Sequence, residues 1–236
     1  MVTAIVISGG VGSRTGQAIP KQYLTVNDIP VIAYTLMSLQ KVQEIGKIIV
    51  VVAKGWESFV CAYATQFGIT KCKEVVFGGA TRNESIYNGL CALKDDGETE
   101  KVCIVDANRP LIPQEVFEEA IGLIEDCDVV LTGEPCYDSM FYSTDGECAT
   151  QNIERSKLFK GQAPECARLG TMLELYADES SRQDNLLSTS GLAVAQGMRV
   201  LIAKGHIKCF KITTVDDFAL FKAYLAAEPT ANLILK

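Results

Sequence analysis

Short apolar runs alternate along this chain with stretches of helical periodicity. The runs at 3–8, 47–53, 73–77, 101–105, 128–132 and 199–203 are rich in Val and Ile and read as strands. Between them, near 30–41, 56–67, 82–94, 113–126 and 166–177, apolar residues recur at helical spacing. Strands alternating with helices of this length predict parallel βαβ units. Continuous Val/Ile runs fit strands buried on both faces. The expected fold is an α/β, Rossmann-like, doubly wound and mostly parallel sheet, built as a single domain over 1–236. A last helix is expected to start at Thr213-Thr-Val-Asp-Asp217, where Thr214 and Asp217 have capping-box spacing with Asp in place of Glu or Gln.

The alternation fails between about 134 and 165. Thr144-Asp-Gly146 is a turn signal, and the flanking Met-Phe-Tyr and Cys-Ala-Thr have strand character. This predicts a projecting β-arm at about 134–160. A two-stranded ribbon is marginal alone, so the arm is expected to pack on something, most simply a second copy of the chain.

Composition narrows the function classes. The 236 residues are 48% hydrophobic, enough for a sizeable core, and the net charge is −7. That balance argues against a nucleic-acid partner, which needs a basic face. It does not argue against a nucleotide, which a local Arg/Lys cluster can hold. No apolar run approaches the ~20 residues of a membrane helix, so no membrane partner is expected. The start lacks signal-peptide character, which predicts a cytoplasmic location. Nine cysteines contain no C-x-x-C pair, and there is a single histidine, His206. Reduced, structural thiols fit better than a metal site.

The candidate chemistry gathers at strand ends, where open α/β sheets bind ligands. The first strand empties into Gly9-Gly-Val-Gly-Ser-Arg14, followed by Pro20-Lys21-Gln22. Glycines let the backbone approach a polyphosphate, and successive N–H groups form an anion-binding concavity. Neither the dinucleotide fingerprint nor a Walker A loop is present, and the residues alone also allow a glycine-rich turn without a ligand. Gly78-Gly-Ala-Thr-Arg-Asn-Glu-Ser85 follows the third strand, and Asp106-Ala-Asn-Arg-Pro110 the fourth. Asp106 suits Mg²⁺, which takes one or two carboxylates plus substrate phosphates. A helix cap or an ion pair with Arg109 is the alternative reading.

Taken together with Arg155, Gly161-Gln-Ala-Pro164 and Lys211-Ile-Thr-Thr214, these elements resemble the sugar-alcohol-phosphate cytidylyltransferases from end to end. That family includes the methylerythritol-phosphate and ribitol-phosphate enzymes. The resemblance implies a nucleotidyltransferase fold and transfer of CMP from CTP to a polyol phosphate, with release of pyrophosphate. It implies that Gly9, Gly10, Gly12, Ser13 and Arg14 hold the β and γ phosphates, and that Lys21 and Lys211 flank the α-phosphate. It assigns Asp106 to Mg²⁺ and to the nucleotide. Gly79 and Ser85 would face the cytosine, with Arg82 part of the same nucleotide-binding element. Ser139 and Arg155, on the arm, would contact the acceptor, and the arm would reach into a partner's site in a homodimer.

The departures from the family pattern gather on the acceptor or metal side. Gln-Thr-Pro-Gln is Gln162-Ala-Pro-Glu165 here, the arm's Asp-Thr is Asp138-Ser139, a Thr-Asp pair becomes Ser188-Thr189, and Lys208 and Cys209 precede the last motif. Lys160-Gly-Gln162 and the spacing of Gly205 and Ile207 favour a ribitol 5-phosphate-like acceptor over methylerythritol phosphate. A nucleotide-binding homologue without catalysis is the reading from another class. His206 reads as a loop histidine, with acceptor-phosphate binding as the alternative.

Overall fold

The computed structural model describes residues 1–10, 19–183 and 187–234, with side chains up to residue 227. Eleven strands are present among them: β1 (Val2–Ser8), β2 (Thr25–Val26), β3 (Ile29–Pro30), β4 (Ile45–Val52), β5 (Cys72–Phe77), β6 (Lys101–Asp106), β7 (Val129–Pro135), β8 (Met140–Tyr142), β9 (Gln151–Ile153), β10 (Phe159–Arg168) and β11 (Val200–Lys204). The helices are α1 (Val31–Lys41), α2 (Glu57–Gln66), α3 (Arg82–Cys91), α4 (Gln114–Gly122), α5 (Leu169–Leu175), α6 (Glu179–Gln183), α7 (Thr189–Ala195) and α8 (Val215–Ile234). Seven strands form the main sheet in the order β11-β7-β10-β6-β1-β4-β5. All neighbours pair in parallel except β10, which runs antiparallel to both β6 and β7.

Period-two alternation sorts the apolar runs onto two faces. Ala4 and Val6 of β1, Ile48, Val50 and Val52 of β4, and Cys103 and Val105 of β6 point to one side. There they meet Ile32, Leu36 and Leu39 of α1, Val60 of α2, and Val116, Phe117 and Ala120 of α4. Ile5, Ile49, Val51, Val102 and Ile104 point to the other, against Ile86 and Leu90 of α3, Met172 and Leu175 of α5, and Leu192 and Ala193 of α7. Both faces are therefore covered, which is why the strands carry no polar stripe. On α3, Gly89 allows a close approach: a Cβ there would sit 2.7 Å from Ile5 Cγ2.

Two expectations need correction. The helix expected near 166–177 begins at Leu169, because residues 159–168 form a sheet strand. The second arm strand is Gln151–Ile153, just beyond Cys148-Ala-Thr150. Glycine and proline in Phe159–Arg168 hid the strand. The register breaks between Gly161 and Glu165, and Pro164 falls inside that irregularity, where no regular ladder hydrogen bond is required. The arm itself is present as the β8–β9 hairpin, turning at Ser143–Gly146, with Gly146 at φ +80°.

Candidate active site

The carboxyl ends of β1 and β6, the loop after β5 and the segment before α8 enclose a cleft of about 680 Å³. That is within the range of ligand pockets. Gly9, Gly10, Lys21, Gly79, Arg82, Ser85, Asp106 and Lys211 all line it. Gly12, Ser13 and Arg14 lie outside the described residues. Ser139 and Arg155 do not line the cleft. Both are exposed on the arm, where Arg155 Nη1 donates to Tyr137 O at 2.6 Å and braces the arm's base.

Each wall is fixed by local chemistry. Buried Gln22 donates from Nε2 to Ser8 O at 2.8 Å and Gly10 O at 2.9 Å. It thereby ties the turn carrying Lys21 to the end of β1. The Ser8 and Tyr23 hydroxyls bond at 3.0 Å, and Tyr23 stacks on Trp56 with ring centroids 3.9 Å apart. Gln22 stands in Pro20-Lys21-Gln22, where residue type alone carries no sign of this role. Its buried amide gives both of those carbonyls a partner.

Thr81 caps α3, its hydroxyl accepting from Glu84 N at 2.9 Å, while Glu84 accepts from Ala80 N at 2.6 Å. Ser85 Oγ accepts from Gly79 N at 3.1 Å and donates to Thr81 O at 2.8 Å. The Ser85 hydroxyl thus shapes the glycine turn that reaches the cleft. On the opposite wall, Asn108 and Ile212 exchange two hydrogen bonds: Asn108 Nδ2 to Ile212 O at 2.7 Å and Ile212 N to Asn108 O at 2.9 Å. This docks the Lys211 segment beside β6. Asp217 accepts from Thr213 N, Thr213 Oγ1 and Thr214 N, and Asp217 N donates to Thr214 Oγ1, a reciprocal capping box for α8.

At the centre lies Asp106, buried and paired with three cations. Arg109 Nε approaches Oδ2 at 3.0 Å, Lys211 Nζ approaches Oδ1 at 3.1 Å, and Arg82 Nε approaches Oδ1 at 3.4 Å. Burial pushes the Asp106 carboxyl up, but Arg82, Lys211 and Arg109 outweigh it and hold it well below the usual carboxylate range. The ion pair with Arg109 that the sequence allowed is present, and the same carboxylate lines the cleft. Arg82 also reaches Glu165, Nη2 to Oε2 at 3.5 Å, while Glu165 Oε1 accepts from Ser190 N at 2.7 Å. Glu165, expected on the acceptor or metal side, is paired with Arg82. Arg82 Nη1 is buried without an acceptor among the described residues. Lys21, Arg82 and Lys211 line the cleft beside Asp106, and such a local cluster of cations suits a polyanion.

No group of three or more His, Cys, Asp or Glu able to hold a metal occurs among the described residues. Among the described residues Asp106 is the one carboxylate that lines the cleft, and its oxygens are shared with three cations. That donor set fits a Mg²⁺ that arrives with a nucleotide's phosphates rather than one held by the protein alone. His206 lies on the loop after β11, where its Nδ1 accepts from Lys208 N at 3.0 Å. All nine cysteines are free thiols, and no helix among the described residues is long and apolar enough to cross a membrane.

Comparison with known proteins gives a consistent picture. A family model described as 2-C-methyl-D-erythritol 4-phosphate cytidylyltransferase matches residues 2–227. The ribitol-5-phosphate cytidylyltransferase of Lacticaseibacillus paracasei is 34% identical over 229 residues, covering 95% of this chain and 98% of that one. The 2-C-methyl-D-erythritol 4-phosphate cytidylyltransferase of Desulforamulus reducens is 30% identical over 226 residues, covering 95% of each. Among solved structures, the 4-diphosphocytidyl-2C-methyl-D-erythritol synthase of Anaerococcus prevotii superposes with a TM-score of 0.82 at 24% identity, covering 95% of this chain and 96% of that one.

Proposed function

The chain belongs to the 2-C-methyl-D-erythritol 4-phosphate cytidylyltransferase family, and from that premise we propose that it transfers CMP from CTP to a ribitol 5-phosphate-like polyol phosphate. The observation that carries this reading is the cleft in which Lys21, Arg82, Asp106 and Lys211 meet under two glycine turns. The ribitol assignment draws on the 34% identical relative, against 30% for the methylerythritol one.

The acceptor's phosphate oxygen is already a nucleophile, so the reaction needs no general base. The cleft matches that requirement, being lined by cations and backbone rather than by a base–nucleophile pair. Attack on the α-phosphorus forms one P–O bond and breaks the bond to the β-phosphate, and pyrophosphate departs. Charge grows on the α-phosphoryl oxygens and on the leaving group. Lys21 and Lys211, arriving from opposite ends of the chain, supply fixed positive charge there. The Gly9–Gly10 backbone receives the outer phosphates. When bound, Mg²⁺ would be held by Asp106 and the phosphates, and it supplies charge neutralisation of the triphosphate.

Exposed Tyr137, Phe141 and Tyr142 make the arm's surface apolar, at 72%, 61% and 51% exposure. Such a surface suits burial against a second copy, which would bring Ser139 and Arg155 to that copy's acceptor pocket. Pyrophosphate release with CTP, tested with ribitol 5-phosphate and with 2-C-methyl-D-erythritol 4-phosphate, checks the proposal. Faster turnover with ribitol 5-phosphate is expected. CTP binding without turnover on either acceptor would favour a non-catalytic nucleotide binder instead.

A further inference from the structure

We infer that Glu165 is a positioning residue for nucleotide binding: it anchors Arg82 to the cleft wall independently of Asp106. The inference rests on the cytidylyltransferase reading of the cleft. Arg82 spans two carboxylates through different nitrogens, Nε toward Asp106 at 3.4 Å and Nη2 toward Glu165 at 3.5 Å. The two carboxylates are not equivalent. Asp106 also serves Arg109 and Lys211, and it lines the cleft. It is therefore the group with which an incoming polyphosphate competes for those cations. Glu165 is buried, and Arg82 is its cationic partner. When a ligand loosens the hold of Asp106, Glu165 keeps the guanidinium in place.

A purely structural role does not require this residue's charge. Glu165 Oε1 accepts from Ser190 N in the first turn of α7, a bond that an amide oxygen makes as well. That turn has two other anchors: Ser188 Oγ accepts from Gly191 N at 3.2 Å, and Tyr176 and Thr189 join hydroxyls at 2.9 Å. What a carboxylate adds over an amide is a counter-charge for Arg82. The guanidinium also retains Nη1 without an acceptor among the described residues, so the wall does not exhaust its donors.

The test is a double-mutant cycle read by CTP binding. Glu165→Gln keeps shape and the Ser190 bond while removing the charge. Titration calorimetry with CTP, with and without Mg²⁺, is expected to show about tenfold weaker binding, while KM for the acceptor stays unchanged. In an Arg82→Ala background the same substitution is expected to alter the CTP dissociation constant less than twofold. Should Glu165→Gln fail to fold, Glu165→Asp carries the test, since the shorter side chain withdraws the charge from Nη2 and is expected to weaken CTP similarly. CTP binding within twofold of wild type in the charge-altered variant, or an equal loss in both backgrounds, overturns the inference alone. Wild-type protein that fails to bind CTP overturns both the inference and the function on which it rests.

Discussion

Asp106 is the residue on which the site's electrostatics turn. Three cations within 3.4 Å of one buried carboxylate repel one another and are held together by it. Removing one partner of a buried ion pair typically costs ~3–5 kcal/mol because the other charges are left uncompensated, so loss of the Asp106 carboxylate is expected to destabilise the protein even without a ligand. Lys211 is a different case. It is partly exposed, and its loss leaves Asp106 with two arginines. Lys211→Ala is therefore expected to lower kcat about 10²–10³-fold, the scale of losing one fixed transition-state donor, while thermal unfolding shifts little. Turnover and a melting curve on the same preparation check this, and a rate near wild type would remove Lys211 from its proposed role. At this scale the sequence was informative where chemistry forces residue type. Glycine, lysine and aspartate at strand ends were readable, and the fold gathers Lys21, Asp106 and Lys211 in one cleft. Glu165 was not readable, because its meaning depends on which side chain an irregular strand turns toward Arg82.

Among the elements, α8 shows how a local signal survives into the structure. The Thr214–Asp217 spacing predicted a reciprocal cap, and both bonds are present. Burial acts to raise the Asp217 carboxyl, but hydrogen bonds from Thr213 and Thr214 prevail and bring it down to about 2. A carboxyl depressed in the folded state stabilises above its unfolded pKa, about 3.9, and loses that contribution as pH falls toward the folded value. Asp217→Asn is thus expected to lower the melting temperature at pH 6 and to converge on wild type as pH approaches 2. An equal deficit at both pH values would show that the charge is irrelevant. By contrast, β10 was illegible locally. Phe159–Arg168 holds Gly, Pro, Glu and Lys, all poor strand formers, and it becomes a strand only because β6 and β7 flank it. The six predicted strands all formed near their expected limits; the inner ones bury nearly all their Val and Ile, while the edge strands β5 and β11 leave theirs half-buried or exposed.

Across the molecule, the antiparallel strand explains how an arm can leave the sheet without disturbing it. Cys136 N bonds Leu158 O at 3.0 Å, and Pro135 pairs with Phe159, so the chain departs and returns at adjacent points. Replacing residues 137–157 with Asn-Gly, a two-residue hairpin turn, is expected to preserve the melting temperature within a few degrees. If the arm joins two copies, the same variant sediments as a monomer and loses turnover. A dimer that persists would move the interface elsewhere on the surface.

The docking of Ile212 on Asn108 has a consequence for synthesis. One wall of the cleft comes from β1, which leaves the ribosome well before the segment that carries Lys211. A nascent chain can assemble β1, β4, β5 and β6 and still lack the cation that faces Asp106. Until the Lys211 segment arrives, Asp106 has Arg82 and Arg109 alone, so a polypeptide interrupted before that point carries much of the sheet but only part of the cleft.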